Sequence, residues 1–294
     1  MSKQLLTILV FLPLILGGSA AAQPPTTLRG VGATYIEPHG GYELNAALDA
    51  VGAQWWYGWR PNPGGDGVPM IWGPSDLGKP VSGDAAWIMF YNEPENEYQS
   101  DVDPAPAATD WPVLLRTYPG RRYVSPGCYS VEWLEEWLPL VEVKPDALAA
   151  HCYMMMGGEG GCKSHLERFI ALAAQYGIGE VWVTEFAYVP ISGEGYDAAV
   201  AWMLDITAWM EVQPMITRYA WFELAYTGAE PWAWGTDRNT SLVDYDTGRL
   251  TKLGCAYVGG CARDAAADVN EDGFVDILDV VTVGSPANFG RPVR

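Results

Sequence analysis

Glu93 and Glu185 are the two residues whose settings best equip them to act as a pair. Ala86-Trp87-Ile88-Met89-Phe90-Tyr91 leads into Asn92-Glu93, and Glu180-Val181-Trp182-Val183 leads into Thr184-Glu185. Both apolar runs read as buried strands that deliver a carboxyl group at their C-terminal ends. Two carboxyl groups across a cleft are what retaining glycoside hydrolysis needs, one as acid/base and one as nucleophile. The expected roles are Glu93 as general acid/base and Glu185 as nucleophile. Asn92 offers an amide to a sugar 2-hydroxyl, and Pro94, which has no N–H to donate, ends the strand.

Such a pair needs a scaffold that brings both strand ends to one face. Eight short apolar runs can be counted: Val31–Ile36, Gln54–Trp59, Pro69–Trp72, Ala86–Glu93, Tyr123–Pro126, Ala147–Tyr153, Glu180–Phe186 and Arg218–Glu223. Helical patterns lie between them, most clearly at Tyr42–Ala50, Ser130–Leu140, Lys163–Tyr176 and Tyr196–Val212. Strands alternating with helices argue a parallel sheet, and eight of them argue closure into a (β/α)8 TIM-type barrel. The short connection after Pro69–Trp72 predicts that some helices are reduced. All strands of such a barrel point the same way, so both carboxylates emerge at the face where barrel active sites sit.

Further candidates follow from strand ends. His151 and Tyr153 alternate at the end of the sixth run, so their side chains share a direction toward substrate or nucleophile. Trp59, Trp72 and Trp221 close or nearly close the second, third and eighth runs and are candidate sugar-stacking platforms, with Trp221 under the sugar being cleaved. The chain holds 14 Trp and 16 Tyr against 7 Phe, more indole than a core alone usually carries. Glu95, Glu97, Glu135 and Glu136 read as solvated loop or helix-face acids.

The ends of the chain carry separate signals. Lys3, the apolar stretch Leu5 to Leu16 and Ala20-Ala21-Ala22 predict a signal peptide over residues 1–22, hence a secreted, extracellular protein with no membrane span. Its removal deletes Lys3 and no acid, taking the formal charge from −19 to −20. That acidity excludes nucleic acid as a partner and fits a neutral polymer. Sequence does not fix the connectivity of the five cysteines: Cys152–Cys162 and Cys255–Cys261 are the natural short-loop pairings, reduced buried thiols are the alternative, and no cysteine has zinc-site spacing. The barrel is expected over residues 23–258, a linker over 259–267 and a small module over 268–294. That module holds a calcium-loop pattern, with Asp268, Asn270, Asp272, the Phe274 carbonyl, Asp276 and Asp279 as Ca2+ ligands and Gly273 at the sharp turn. No cofactor is expected for catalysis.

The ordered set Trp55-Trp56-Tyr57-Gly58-Trp59, Met70-Ile71-Trp72-Gly73, Asn92-Glu93-Pro94-Glu95, Ser125-Pro126, Trp133-Leu134, His151-Cys152-Tyr153, Trp182-Val183-Thr184-Glu185-Phe186 and Arg218-Tyr219-Ala220-Trp221-Phe222 resembles glycoside hydrolase family 128. The resemblance runs from about Val31 to Tyr257. It implies a retaining β-1,3-glucanase on a (β/α)8-type barrel, with Glu93 as acid/base, Glu185 as nucleophile and a β-glucan polysaccharide or oligosaccharide as substrate. Mannan, xylan or cellulose would suit the same carboxylate chemistry, and a non-catalytic glucan-binding wall protein is the contrasting class. The Gly-rich insert Met154–Gly161 and the stretch Glu223–Trp234 depart from the family and bear on endo versus exo action. The tail resembles one repeat of a dockerin, the module that binds a cohesin-type scaffold. A dockerin normally carries two repeats, and Ile277 and Leu278 stand where hydroxyl residues are usual, so a calcium-stabilised appendage is the safer expectation.

Overall fold

The computed structural model describes residues 29–34, 43–84, 86–154, 161–188, 196–225 and 240–260. The expected signal peptide, most of the expected linker and the expected calcium-loop module therefore lie outside the described residues, as does the interior of the Met154–Gly161 insert. Eight strands are present: β1 (Arg29–Gly32), β2 (Trp55–Tyr57), β3 (Met70–Ile71), β4 (Trp87–Asn92), β5 (Arg122–Cys128), β6 (Ala147–Tyr153), β7 (Glu180–Ala187) and β8 (Ile216–Trp221). They form one sheet in the order β2-β1-β8-β7-β6-β5-β4-β3, with every neighbouring pair parallel. A lone parallel bridge between Tyr57 and Val68 draws the two sheet edges together. The result is a nearly closed (β/α)8 barrel, as expected.

The helices are α1 (Leu44–Ala50), α2 (Pro104–Thr117), α3 (Val131–Trp137), α4 (Gly161–Gln175), α5 (Tyr196–Met210) and α6 (Lys252–Tyr257). Among the described residues no α-helix separates β2 from β3 or β3 from β4, where only a 3-10 turn over Pro74–Asp76 stands. This is the expected helix reduction. Proline at the start of α2 fits a position whose N–H would be unpaired in any case. Ser130 caps α3 by accepting from the Trp133 N–H, and Thr251 caps α6 by accepting from that of Gly254. No described helix is long and apolar enough to cross a membrane.

Alternation along the strands separates two apolar layers. Leu148, Ala150, Val181 and Val183 face outward, into the layer shared with Leu166, Phe169 and Leu134 of the helices. Trp55, Tyr57, Met70, Trp87, Met89, Ala147, Ala149, Trp182 and Ala220 fill the barrel interior. At the N-terminal end of the strands the Arg218 guanidinium lies 4.1 Å from the Trp182 ring and 5.4 Å from those of Trp55 and Trp87. That end is a packed floor, and the opposite end is left for chemistry.

One expected disulfide, Cys152–Cys162, is formed and ties the end of β6 to the start of α4. Cys128 is a buried free thiol, and Cys255 is also disulfide-bonded. Its expected partner, Cys261, lies outside the described residues.

Candidate active site

Strict alternation would turn Glu185 away from the barrel interior, because Trp182 already points inward. A bulge corrects this. Ala150 pairs with Val183 but His151 pairs with Glu185, so Thr184 is an extra residue on β7. β4 is also irregular: Phe90 and Asn92 pair with the successive residues Pro126 and Gly127, leaving Tyr91 extra. Glu93 follows directly, with a left-handed backbone (φ 39°) and its N–H donating to the Gly127 carbonyl at 2.7 Å. A non-glycine residue in that region is strained, and such strain collects at functional sites.

The two carboxylates then meet around one imidazole. His151 Nδ1 lies 2.8 Å from Glu93 Oε1 and 3.4 Å from Glu185 Oε2. One carboxylate oxygen from each glutamate and the imidazole nitrogen all lie within 4.8 Å of one another. Asn96 Nδ2 donates to Glu93 Oε2 at 3.0 Å. Trp59 Nε1 donates to Glu185 Oε1 at 2.7 Å, and the Tyr153 hydroxyl donates to Oε2. Tyr57 OH, which donates to the Thr184 carbonyl at 2.8 Å, lies 3.4 Å from Oε1. Glu185 is 3% exposed and Glu93 8%. Two carboxylates and an imidazole could in principle ligate a divalent cation. Here amide, indole and phenol donors already occupy the carboxylate oxygens, which is the arrangement of a proton-handling site.

The remaining sequence candidates divide. Asn92 is buried; its Nδ2 donates to Gln99 Oε1 at 3.1 Å, while its Oδ1 has no partner among the described residues. Trp72, like Trp59, is half-buried against the interior cluster, and its carbonyl accepts from the Asn92 N–H. Trp221 does not reach the cleft. It is fully buried in the outer layer, against Phe186 and Tyr257, and its Nε1 donates to the Thr240 carbonyl at 2.7 Å. Its neighbour Phe222 faces inward instead, edge-on to Trp59 at 5.4 Å and to Tyr153 at 5.9 Å. A one-residue difference in phase exchanges the two faces of a strand, and Ala220 rather than Tyr219 is the inward residue.

The profile of the glycosyl hydrolase catalytic core matches residues 32–257, from the last residue of β1 through all of the later strands. The chain belongs to that family. Solved structures similar to this hydrolase include three members of glycoside hydrolase family 128. One is a subgroup I endo-β-1,3-glucanase from Amycolatopsis mediterranei in complex with laminaritriose, 25% identical, covering 79% of this chain and 99% of that chain with a TM-score of 0.62. A subgroup II endo-β-1,3-glucanase from Pseudomonas viridiflava is 26% identical, with coverages of 81% and 99% and a TM-score of 0.61. A subgroup III curdlan-specific exo-β-1,3-glucanase from Blastomyces gilchristii in complex with glucose is 26% identical, with coverages of 80% and 99% and a TM-score of 0.60. No curated protein matches the chain.

The electrostatics of the hydrolase site follow from its burial. Burial by itself drives the His151 imidazole down, but the charges of Glu185 and Glu93 overcome it and lift the group to about 9. Burial pushes Glu93 up, yet the hydrogen bond and charge of His151, with Asn96, bring it below the ordinary carboxylate range. Burial and the Glu93 charge raise Glu185, against the pull of His151, Tyr153 and Trp59. The three groups thus titrate as one unit. At neutral pH its proton rests on the imidazole.

Several contributors carried no sequence signal of their own. Asn96 sits in a loop, and Gly127 matters only because a Cβ there would come within 2.8 Å of His151 Nε2. Tyr57 was accessible from alternation, two residues before Trp59. Glu95 is not the solvated acid expected: it accepts from the Tyr129 and Ser130 N–H groups at 2.6 and 2.8 Å, tying the loop after Glu93 to the start of α3. Glu97, Glu135 and Glu136 are exposed as expected.

Proposed function

We propose that this glycoside hydrolase cleaves β-1,3-glucan by double displacement, with Glu93 as acid/base and Glu185 as nucleophile. The observation that carries the mechanism is the close approach of the two carboxylates, within 4.8 Å around His151. Retaining enzymes hold their carboxyl groups about 5–5.5 Å apart, whereas inverting enzymes leave about 6.5–9.5 Å for a water. The substrate class is supported by the printed activities of the similar structures, endo- and exo-β-1,3-glucanases, one of them holding laminaritriose.

In the first step a Glu185 oxygen bonds to the anomeric carbon while Glu93 protonates the departing glycosidic oxygen. In the second, Glu93 takes a proton from water, which attacks the same carbon and releases Glu185. Glu93 is ionised at rest, so the proton it gives comes across its 2.8 Å contact with His151 Nδ1. Bound glucan assists by displacing water, which strengthens the pull of the remaining charges on that proton. Asn92 Oδ1 accepts from a sugar hydroxyl, Tyr153 holds Glu185, and Trp59, Phe222 and Trp72 form the aromatic boundary of the cleft.

Sugar release from laminarin, β-mannan, xylan and cellulose, measured side by side with Glu185→Ala as control, tests the reading. Release from laminarin alone, lost in the variant, is expected. Release from another polymer would keep the mechanism and discard the substrate; binding without release from any would make the protein a carbohydrate-binding one.

We further propose that residues 1–22 direct secretion and that the tail binds Ca2+ through Asp268, Asn270, Asp272, the Phe274 carbonyl, Asp276 and Asp279. The support is the full register of oxygen ligands around Gly273. Isothermal titration of the full chain with Ca2+ tests the metal site, and unchanged heats would remove it. Pull-down by a cohesin-type scaffold in the presence of Ca2+ tests the partner, which the single repeat argues against.

A further inference from the structure

We propose that Trp59 is a positioning residue for the nucleophile, holding Glu185 through its indole N–H, and not only an apolar platform for sugar. The inference rests on the assignment of Glu185 as nucleophile. Three independent features point to it. Trp59 Nε1 lies 2.7 Å from Glu185 Oε1, and an indole N–H can only donate. The Trp59 backbone is left-handed, with φ 49°, a conformation that a bulky residue keeps only when its surroundings enforce it. Gly32 on β1 supplies the space: a Cβ there would come within 2.5 Å of the Trp59 ring.

A platform that only stacks on sugar needs no particular N–H direction. Trp59 is half-buried, and its ring is held by Tyr57, with ring centroids 4.8 Å apart, by the edge of Phe222 at 5.4 Å, and by Gly32. These contacts fix the direction of the N–H, and the N–H fixes Oε1. With Tyr153 on Oε2, the carboxylate is clamped at both oxygens by uncharged donors. Such donors favour the ionised form and set its orientation, beside the His151 imidazole at 3.4 Å from Oε2. The strain at Trp59 is thereby connected to the chemistry: relaxing its backbone would swing the N–H away from Glu185.

The test replaces Trp59 in the full chain by benzothienylalanine, in which sulfur stands where the indole N–H was and the shape is kept. Trp59→Phe serves as a second variant. Melting temperatures establish that both fold. For the isosteric variant kcat on laminarin should fall about 10- to 100-fold, the cost of one hydrogen bond to a charged group, with KM changed less than about threefold. The acid limb of kcat/KM should move to higher pH, since Glu185 loses a donor that favours its charge. The Glu185 carboxyl resonance, titrated by 13C NMR, should move in the same direction whatever the activity. Unchanged kcat and acid limb, or a loss confined to KM, would overturn the proposal. Failure of the underlying assignment looks different, because Glu185→Ala would then continue to turn over laminarin.

Discussion

His151 stands directly opposite Glu185 across β6 and β7 because β7 carries one residue more than β6 at that point, Thr184. Without that bulge the Trp182 side of the strand would stay inward and Glu185 would face the helices. The pairing of His151 with Glu185 is thus a matter of register before it is one of side-chain chemistry. His151 then links Glu185 to Glu93, and Gly127 gives the imidazole its space.

Gly127→Ala should disturb that pairing while sparing the fold. The added Cβ would meet His151 Nε2 at 2.8 Å, and pushing the imidazole aside would disturb its contacts with both carboxylates. A displacement of about 1 Å can cost on the order of 100-fold in rate, so a fall of about 10- to 100-fold in kcat is expected, with a modest change in melting temperature. Wild-type kinetics would mean that the imidazole position is not critical.

The cluster also predicts a pH dependence. Glu93, His151 and Glu185 share a proton that rests on His151 up to about pH 9. The alkaline limb of kcat/KM should therefore fall toward pH 9, well above the range of an ordinary carboxyl group. The folded value of His151 is raised from 6.5, so its contribution to stability is complete below about pH 6.5 and is lost as pH rises through about 9. The melting-temperature difference between wild type and His151→Asn should shift against wild type across that window. A difference that stays constant there would contradict the charged imidazole.

Much of this arrangement was legible in the sequence. Each glutamate closes a buried strand, so their delivery to one face followed from eight parallel strands. What alternation could not supply were its interruptions, at Thr184 and Tyr91, because a bulge depends on the partner strand. The same limit misplaced Trp221: nothing within Arg218-Tyr219-Ala220-Trp221-Phe222 fixes which alternate set faces inward, and the buried Trp221 serves the outer layer. Helix α2 was obscured by Pro104, Pro106 and Pro112, of which the first two occupy the opening turn, where proline removes no helical bond. Glu95 was misread because its partners, the N–H groups before α3, come from a loop 34 residues away.

Breaking Cys152–Cys162 should loosen the site from its rim. The bond follows His151 by one residue and closes the insert beside Tyr153. The double variant Cys152→Ala/Cys162→Ala should lose about 2–4 kcal/mol of stability, read from denaturant midpoints, and kcat should fall with it. Unaltered kcat with lowered stability would confine the disulfide to a structural role.

Arg218 gives a contrasting expectation at the other end of the barrel. Its guanidinium is enclosed by Trp182, Trp55 and Trp87. Arg218→Lys keeps the charge but loses the planar stack, and should cost about 1–2 kcal/mol of stability with kcat and KM unchanged. A change in KM would mean that the floor communicates with the cleft.

The central claim, retaining hydrolysis of β-1,3-glucan by Glu93 and Glu185, is tested most directly by proton NMR of laminarin digestion from the first minute. Anomeric signals of the newly formed reducing ends should appear first in the β configuration and equilibrate to α later. Reducing ends that appear first as α, or no release from laminarin at all, would contradict the account.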